Sequence, residues 1–161
     1  MFLEAKNALV FKKGNETLMI EPWGANSFRV RSTMEPNFID RDWALTEKIN
    51  HGNAKISVTE QGASIINGKI EAKVNNNGII TFYKDGVRIL HEYHRSYDPS
   101  ATKESCCTKV INRQWQGIIG GDYKLSVRFE SNDSEKIFGM GQYQTPYLDM
   151  KGCFLELAQR N

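Results

Sequence analysis

Alternation with a period of two is the feature that most narrows what this chain can become. Along SFRVRSTM, residues 27–34, Phe28 and Val30 alternate with Arg29 and Arg31. Along YKLSVRFES, residues 123–131, Leu125, Val127 and Phe129 alternate with polar partners. Successive side chains of an extended strand point to opposite faces, so the pattern predicts strands with one buried and one wet face. ALVFKKG, ETLMIEPWG, AKISVTE, SIING, KIEAKV and GIITFYKDGVRILHEY supply further short apolar runs punctuated by Gly, Asn and Asp. Within the last of these, Asp85-Gly86 sits between two β-rich runs, the strongest short hairpin signal because a tight turn there requires φ > 0.

Roughly ten short strands with turn signals every ten residues or so predict an all-β sandwich or barrel. DRDWALTEKI, residues 40–49, is the one helical candidate, of a turn or two. Tyr93 to Asn112, with Pro99 and few periodic positions, reads as a long loop crossing between sheets. No internal repeat, low-complexity tract or linker interrupts the chain, so residues 1–161 are expected to form a single domain. A chain of 161 residues with 40% hydrophobic and 25% charged residues can bury a core, which argues against disorder.

Charge and cysteine content limit the partners. The formal net charge is only +2, with cations spread among acids, whereas a nucleic-acid binder concentrates a basic stripe. No apolar run reaches the ~20 residues that span a bilayer, and MFLEAKNALVFKK lacks the parts of a signal peptide. Three cysteines, with Cys106 and Cys107 adjacent, make no disulfide framework. A cytoplasmic protein with reduced thiols is expected.

Local motifs carry little chemistry by themselves. His91 and His94 in HEYH are three apart, which on a strand sends them to opposite faces; with no third ligand, no metal site is expected. Cys106 and Cys107 lack the spacer of a zinc knuckle. Gly139 and Gly141 in GMG are followed by Pro146 rather than a helix, so a dinucleotide fingerprint fails and a bulge or close backbone approach is the better reading. No cofactor is expected. The acids of SNDSEK and DRD sit in polar, turn-like contexts, and no Ser-His-Asp or Cys-His arrangement stands out.

The C-terminal third is more specific. GIITFYKDGVRIL, FESNDSEKIFGMGQYQ and LDMKGCFLELAQRN resemble the N-terminal domain of glycoside hydrolase family 31, the α-glucosidase and α-xylosidase family. The matching residues are Phe129, Ser131, Glu135, Ile137, Phe138, Gly139, Met140, Gly141 and Gln142, then Asp149, Lys151, Gly152, Gln159, Arg160 and Asn161. SFRVRSTM also resembles an early strand of the family. The likeness is strong from about Gly78 onward and loose before it.

That resemblance implies a galactose-mutarotase-like β-sandwich, incomplete at its C-terminal end, preceding a catalytic barrel that would need roughly 250 further residues. In the family both catalytic carboxylates lie on that barrel, so this chain is expected to hold no catalytic residue and to hydrolyse nothing alone. The sandwich would pack on the barrel and lend a loop to the sugar pocket, with Arg160 and Asn161 as the substrate-binding residues of an intact enzyme acting on α-linked glucosides or xylosides. Gln142 and Gln144 would stabilise that loop, while Asp149 and Lys151 would be turn or surface residues. An uncovered edge or apolar face would make the 161-residue chain self-associate. Two other readings are weighed beside it: a freestanding carbohydrate-binding module using Trp23, Trp43 or Trp115, and an aldose mutarotase, for which His91, Glu92 and His94 lie too close together.

Overall fold

The computed structural model describes residues 1–39, 52–96, 109–139 and 146–156. It is all β among these residues, with eleven strands, and its sheets pack as an open sandwich rather than closing into a barrel. The chain divides into two compact units, Met1–Glu130 and Ser131–Asn161, and every strand belongs to the first. The helical candidate at 40–49 and the middle of the expected long loop lie outside the described residues.

Strands β1 (Phe2–Ala5), β2 (Ala8–Lys13), β3 (Glu16–Pro22) and β4 (Phe28–Thr33) form one antiparallel meander. Strands β5 (Lys55–Thr59), β6 (Gly62–Asn67), β7 (Ile70–Asn75), β8 (Ile80–Lys84) and β9 (Val87–His91) form a second. The core lies between them, built from Leu9, Phe11, Leu18 and Ile20 of the first sheet and Ala63, Ile65, Ala72, Val74 and Ile80 of the second. Each fully buried Leu or Ile contributes about 1.5–3 kcal/mol relative to exposure, so this layer is the main favourable term. The Asp-Gly signal is realised as read: Asp85 has φ 48° and Gly86 φ 80°, the paired left-handed residues of a tight β8–β9 turn.

Strands β10 (Arg113–Gly117) and β11 (Tyr123–Val127) make a separate hairpin. Just beyond β11, Tyr93 N–H donates to the Arg128 carbonyl and Glu130 N–H to the His91 carbonyl, both at 2.8 Å. The foot of the hairpin is thereby stitched to the end of β9. The expected long loop is tied at its base, where Arg95 and Val110 exchange backbone hydrogen bonds of 3.0 and 2.9 Å.

Two alternating segments differ from expectation. On β4 the arginines are not wet: the side chains of Arg29 and Arg31 are 22% and 19% exposed, whereas Val30 is 41% exposed. Arg31 pairs with Glu21 at 2.9 Å, and Arg29 stacks over Trp23 at 4.5 Å, so charge pairing and an aromatic ring cover what pattern alone assigns to water. On and after β11, Leu125, Val127 and Phe129 alternate as read, but the face they form stays 38–47% exposed.

The sheets and the hairpin meet at one buried polar cluster. Arg113 directs Nη1 at both carboxylate oxygens of Glu92 (2.6 and 2.5 Å), Nε at Glu16 Oε1 (2.6 Å) and Nη2 at the Gly78 carbonyl (2.6 Å). Glu92 Oε2 also accepts from Asn112 Nδ2 at 2.7 Å and from the Ile80 N–H at 2.9 Å, and Ser32 Oγ donates to Glu16 at 2.8 Å. Burial alone pulls the Arg113 pKa down, but the charge of Glu92 and the hydrogen bond and charge of Glu16 outweigh it and hold the guanidinium above its ordinary value. Gly78 fits here because it has φ +81° and because a Cβ would fall 2.5 Å from Phe11 Cε1.

Removing one member of such a cluster strands a buried charge. Arg113→Met is expected to cost about 3–5 kcal/mol in urea unfolding, with part of the loss recovered when Glu92→Gln is added. A loss below about 1 kcal/mol would mean the cluster does not hold the layers together.

Candidate functional site

The residues that resemble a family motif fall mostly in the second unit, and there the described parts form a clamp. Asp149 Oδ1 accepts hydrogen bonds from the Ile137 N–H at 2.9 Å and the Lys151 N–H at 3.1 Å. In the return direction, the Met150 N–H donates to the Ile137 carbonyl at 2.8 Å. The turn then closes with Cys153 N–H donating to the Met150 carbonyl at 3.0 Å, and with Gly152 at φ +76°. Asp is suited to this place because its short side chain reaches a backbone N–H two residues on while keeping acceptor capacity for a second strand of chain.

A further turn braces the clamp. Asn132 Oδ1 accepts from Ser134 N–H and Oγ at 3.1 and 2.8 Å, the Asn132 carbonyl accepts from Glu135 N–H at 3.1 Å, and Lys151 Nζ donates to that same carbonyl. Gly139, at φ +80°, ends the clamped segment. Asp149 and Lys151 are turn residues, as read, and Asp149 is in addition the acceptor that joins two stretches of the motif.

The clamp joins the stretches on either side of residues 140–145. Residues 140–145, with Gln142 and Gln144, lie outside the described residues, as do Arg160 and Asn161.

In the first unit the other candidates have defined surroundings. His91 Nδ1 lies 2.7 Å from Thr81 Oγ1, and His91 Nε2 lies 4.0 Å from Glu130. His94 instead lines a hollow of about 410 Å³ with Lys13, Asn77, Ser96 and Lys109. Among the described residues no group of three or more His, Cys, Asp or Glu is placed to hold a metal ion. Glu92 is 2% exposed and both its oxygens are engaged, so it is committed to the fold rather than available for proton transfer. Trp23 has its ring covered by Arg29, and Trp115 packs edge-on to Tyr123 with centroids 5.9 Å apart. Trp43 lies outside the described residues, as do Cys106 and Cys107.

Sequence reasoning missed the Arg113 cluster. A signal existed: Arg113 takes an apolar-parity position between Ile111 and Trp115, where an exposed arginine would break the pattern.

Comparison with known proteins places this geometry. The chain is 39% identical over 168 aligned residues to an uncharacterized family 31 glucosidase, ORF2, of Pseudescherichia vulneris, an alignment that takes in 99% of this chain. It superposes over its whole length on the crystal structure of a GH31 α-xylosidase from a soil metagenome complexed with xylose, with a TM-score of 0.87 and 41% identity. The chain's homologues are therefore family 31 glycosidases. It spans 32% of the length of the first and 25% of the second. No family profile matches the chain.

The clamp makes a pH-dependent prediction. The backbone hydrogen bonds from Ile137 and Lys151 hold the Asp149 carboxyl below its ordinary range. A depressed pKa means that its contribution is complete above the free-aspartate value of about 3.9 and is lost as pH falls through the lower folded value. An NMR titration should place the Asp149 midpoint below that of free aspartate, and Asp149→Ala should speed exchange of the Ile137 amide at neutral pH. A midpoint at or above the free value would contradict the clamp.

Proposed function

We propose that this chain is the N-terminal, non-catalytic β-sandwich domain, of galactose-mutarotase-like type, of a retaining α-glycosidase acting on α-linked glucosides or xylosides. The observation that carries this reading is the whole-length superposition on an α-xylosidase at 41% identity, of which the chain spans a quarter. The domain packs on a catalytic barrel and lends it a loop. Arg160 and Asn161 on that loop supply directional hydrogen bonds to sugar hydroxyls, the guanidinium through its fork of donors and the amide through one donor side and one acceptor side. The clamp at Asp149 anchors the chain between the glycine-rich segment and that loop. The exposed free thiol of Cys153 fits a reducing, cytoplasmic setting. Neither metal nor cofactor has a part in this reading.

The test is enzymatic. The 161-residue chain should release no p-nitrophenol from the α-glucoside or the α-xyloside, whereas the longer protein that contains it should hydrolyse at least one of them. In that longer protein Arg160→Ala should lower kcat/KM by roughly 10–100-fold, the loss expected for a hydrogen bond from a charged donor. Hydrolysis by the 161-residue chain itself, or an unchanged kcat/KM in the variant, would overturn the assignment concerned.

A further inference from the structure

The sequence contains two Asn-Gly pairs, Asn67-Gly68 and Asn77-Gly78. An asparagine ahead of glycine is chemically labile, because the next backbone nitrogen can attack its side-chain carboxamide carbon. Glycine has no Cβ to hinder that approach and gives the chain the freedom to make it. The two pairs are alike in sequence, and their surroundings set them apart.

Asn67 is held. It is 5% exposed, and its Nδ2 donates to the Gly24 and Ser27 carbonyls at 2.9 and 2.8 Å. Freeing that carboxamide would leave buried polar groups unpaired. Asn77 is the opposite case. It is exposed in the β7–β8 turn, and its carboxamide makes no hydrogen bond among the described residues. The turn is held through Asn75 instead, whose Oδ1 accepts from the Asn77 N–H at 2.9 Å and whose carbonyl accepts from the Gly78 N–H at 2.8 Å. Attack waits for that last bond to open, a local event in a surface turn that leaves the core intact.

The consequence lies one residue on. The Gly78 carbonyl accepts from Arg113 Nη2 at 2.6 Å, and a Cβ at Gly78 would fall 2.5 Å from Phe11 Cε1, so the backbone there has no slack.

We infer that Asn77 is a site of spontaneous deamidation and isoaspartate formation, and that the isoaspartate loosens the Arg113 joint through Gly78. The Gly78 nitrogen gives its proton to hydroxide and bonds to Asn77 Cγ. The Cγ–Nδ2 bond breaks, and the side-chain nitrogen leaves as ammonia. Water then opens the five-membered imide. Cleavage between the ring nitrogen and Cγ gives aspartate, whereas cleavage at the main-chain carbonyl gives isoaspartate, whose backbone runs through Cβ and gains one carbon. One water is consumed and one ammonia released, with no change of oxidation state. The added carbon displaces the Gly78 carbonyl from Arg113 Nη2, and the new carboxylate lies beside Lys13, whose Nζ reaches the Asn77 carbonyl at 3.3 Å.

Peptide mapping tests this, because trypsin puts the two pairs on separate peptides, residues 56–69 and 74–84. In the folded 161-residue chain, held at mildly alkaline pH and sampled over days, Asn77 should convert to the acid several-fold faster than Asn67. In concentrated urea the two rates should converge. Fragment ions separate Asn77 from Asn75 and Asn76. Exchange of the Arg113 Nη protons with water, followed by NMR, should quicken several-fold in the aged chain. Asn77→Ser should leave the urea midpoint of the fresh chain unchanged and remove that effect of ageing. Equal rates at Asn67 and Asn77 in the folded chain, or a faster rate at Asn67, would overturn the site. Arg113 protons that exchange no faster after modification, or that quicken equally in Asn77→Ser, would overturn its link to the joint.

Discussion

Everything in the first unit is arranged around one guanidinium. Two antiparallel meanders can each bury an apolar face against the other, but hydrophobic contact is non-directional and does not fix how layers align or where an extra hairpin sits. Arg113 supplies direction. Its planar fork reaches Glu16 on the first sheet, the Gly78 carbonyl beside the second, and Glu92 at the end of β9. An arginine suits this place better than a lysine, which would offer a point charge where three separate acceptors need fixed angles. The cost of desolvating three charges is offset only because nearly every lone pair and N–H is engaged, including those filled by Asn112, Ile80 and Ser32.

The second unit uses the same logic with a smaller group. Asp149 takes N–H donors from two stretches of chain and so converts a loose run of Gly, Lys and polar residues into a defined turn. In both units a carboxylate is spent on architecture.

How much could be read in advance depended on the range of the interaction concerned. The Asp85-Gly86 turn was legible because its determinants are adjacent and steric. The alternation of β4 and β11 was legible as strand, but not as burial, since pattern reports that a face is amphipathic and is silent on what covers it. Arg29 and Arg31 are covered by Glu21, Trp23 and Phe38, and the apolar row of β11 is not fully covered at all. The parity of Arg113 hinted at its burial, but its partners were not legible for a third reason: Glu16 lies 97 residues away, and a single sequence does not reveal that pairing. The expected sugar contacts, Arg160 and Asn161, came from motif likeness alone and lie beyond the described residues.

That separation of 97 residues also sets an order of events during synthesis. Each meander is built from neighbouring strands and can form as it leaves the ribosome, whereas long-range pairings wait for loop closure. Glu16 emerges early and stays without its cation until Arg113 has been made. Until then Ser32, on the neighbouring strand of the same sheet, is the side chain that can donate to Glu16. The apolar layer between the sheets draws on residues up to Ile80, so the polar joint that aligns it is completed only after the strands it joins have been made.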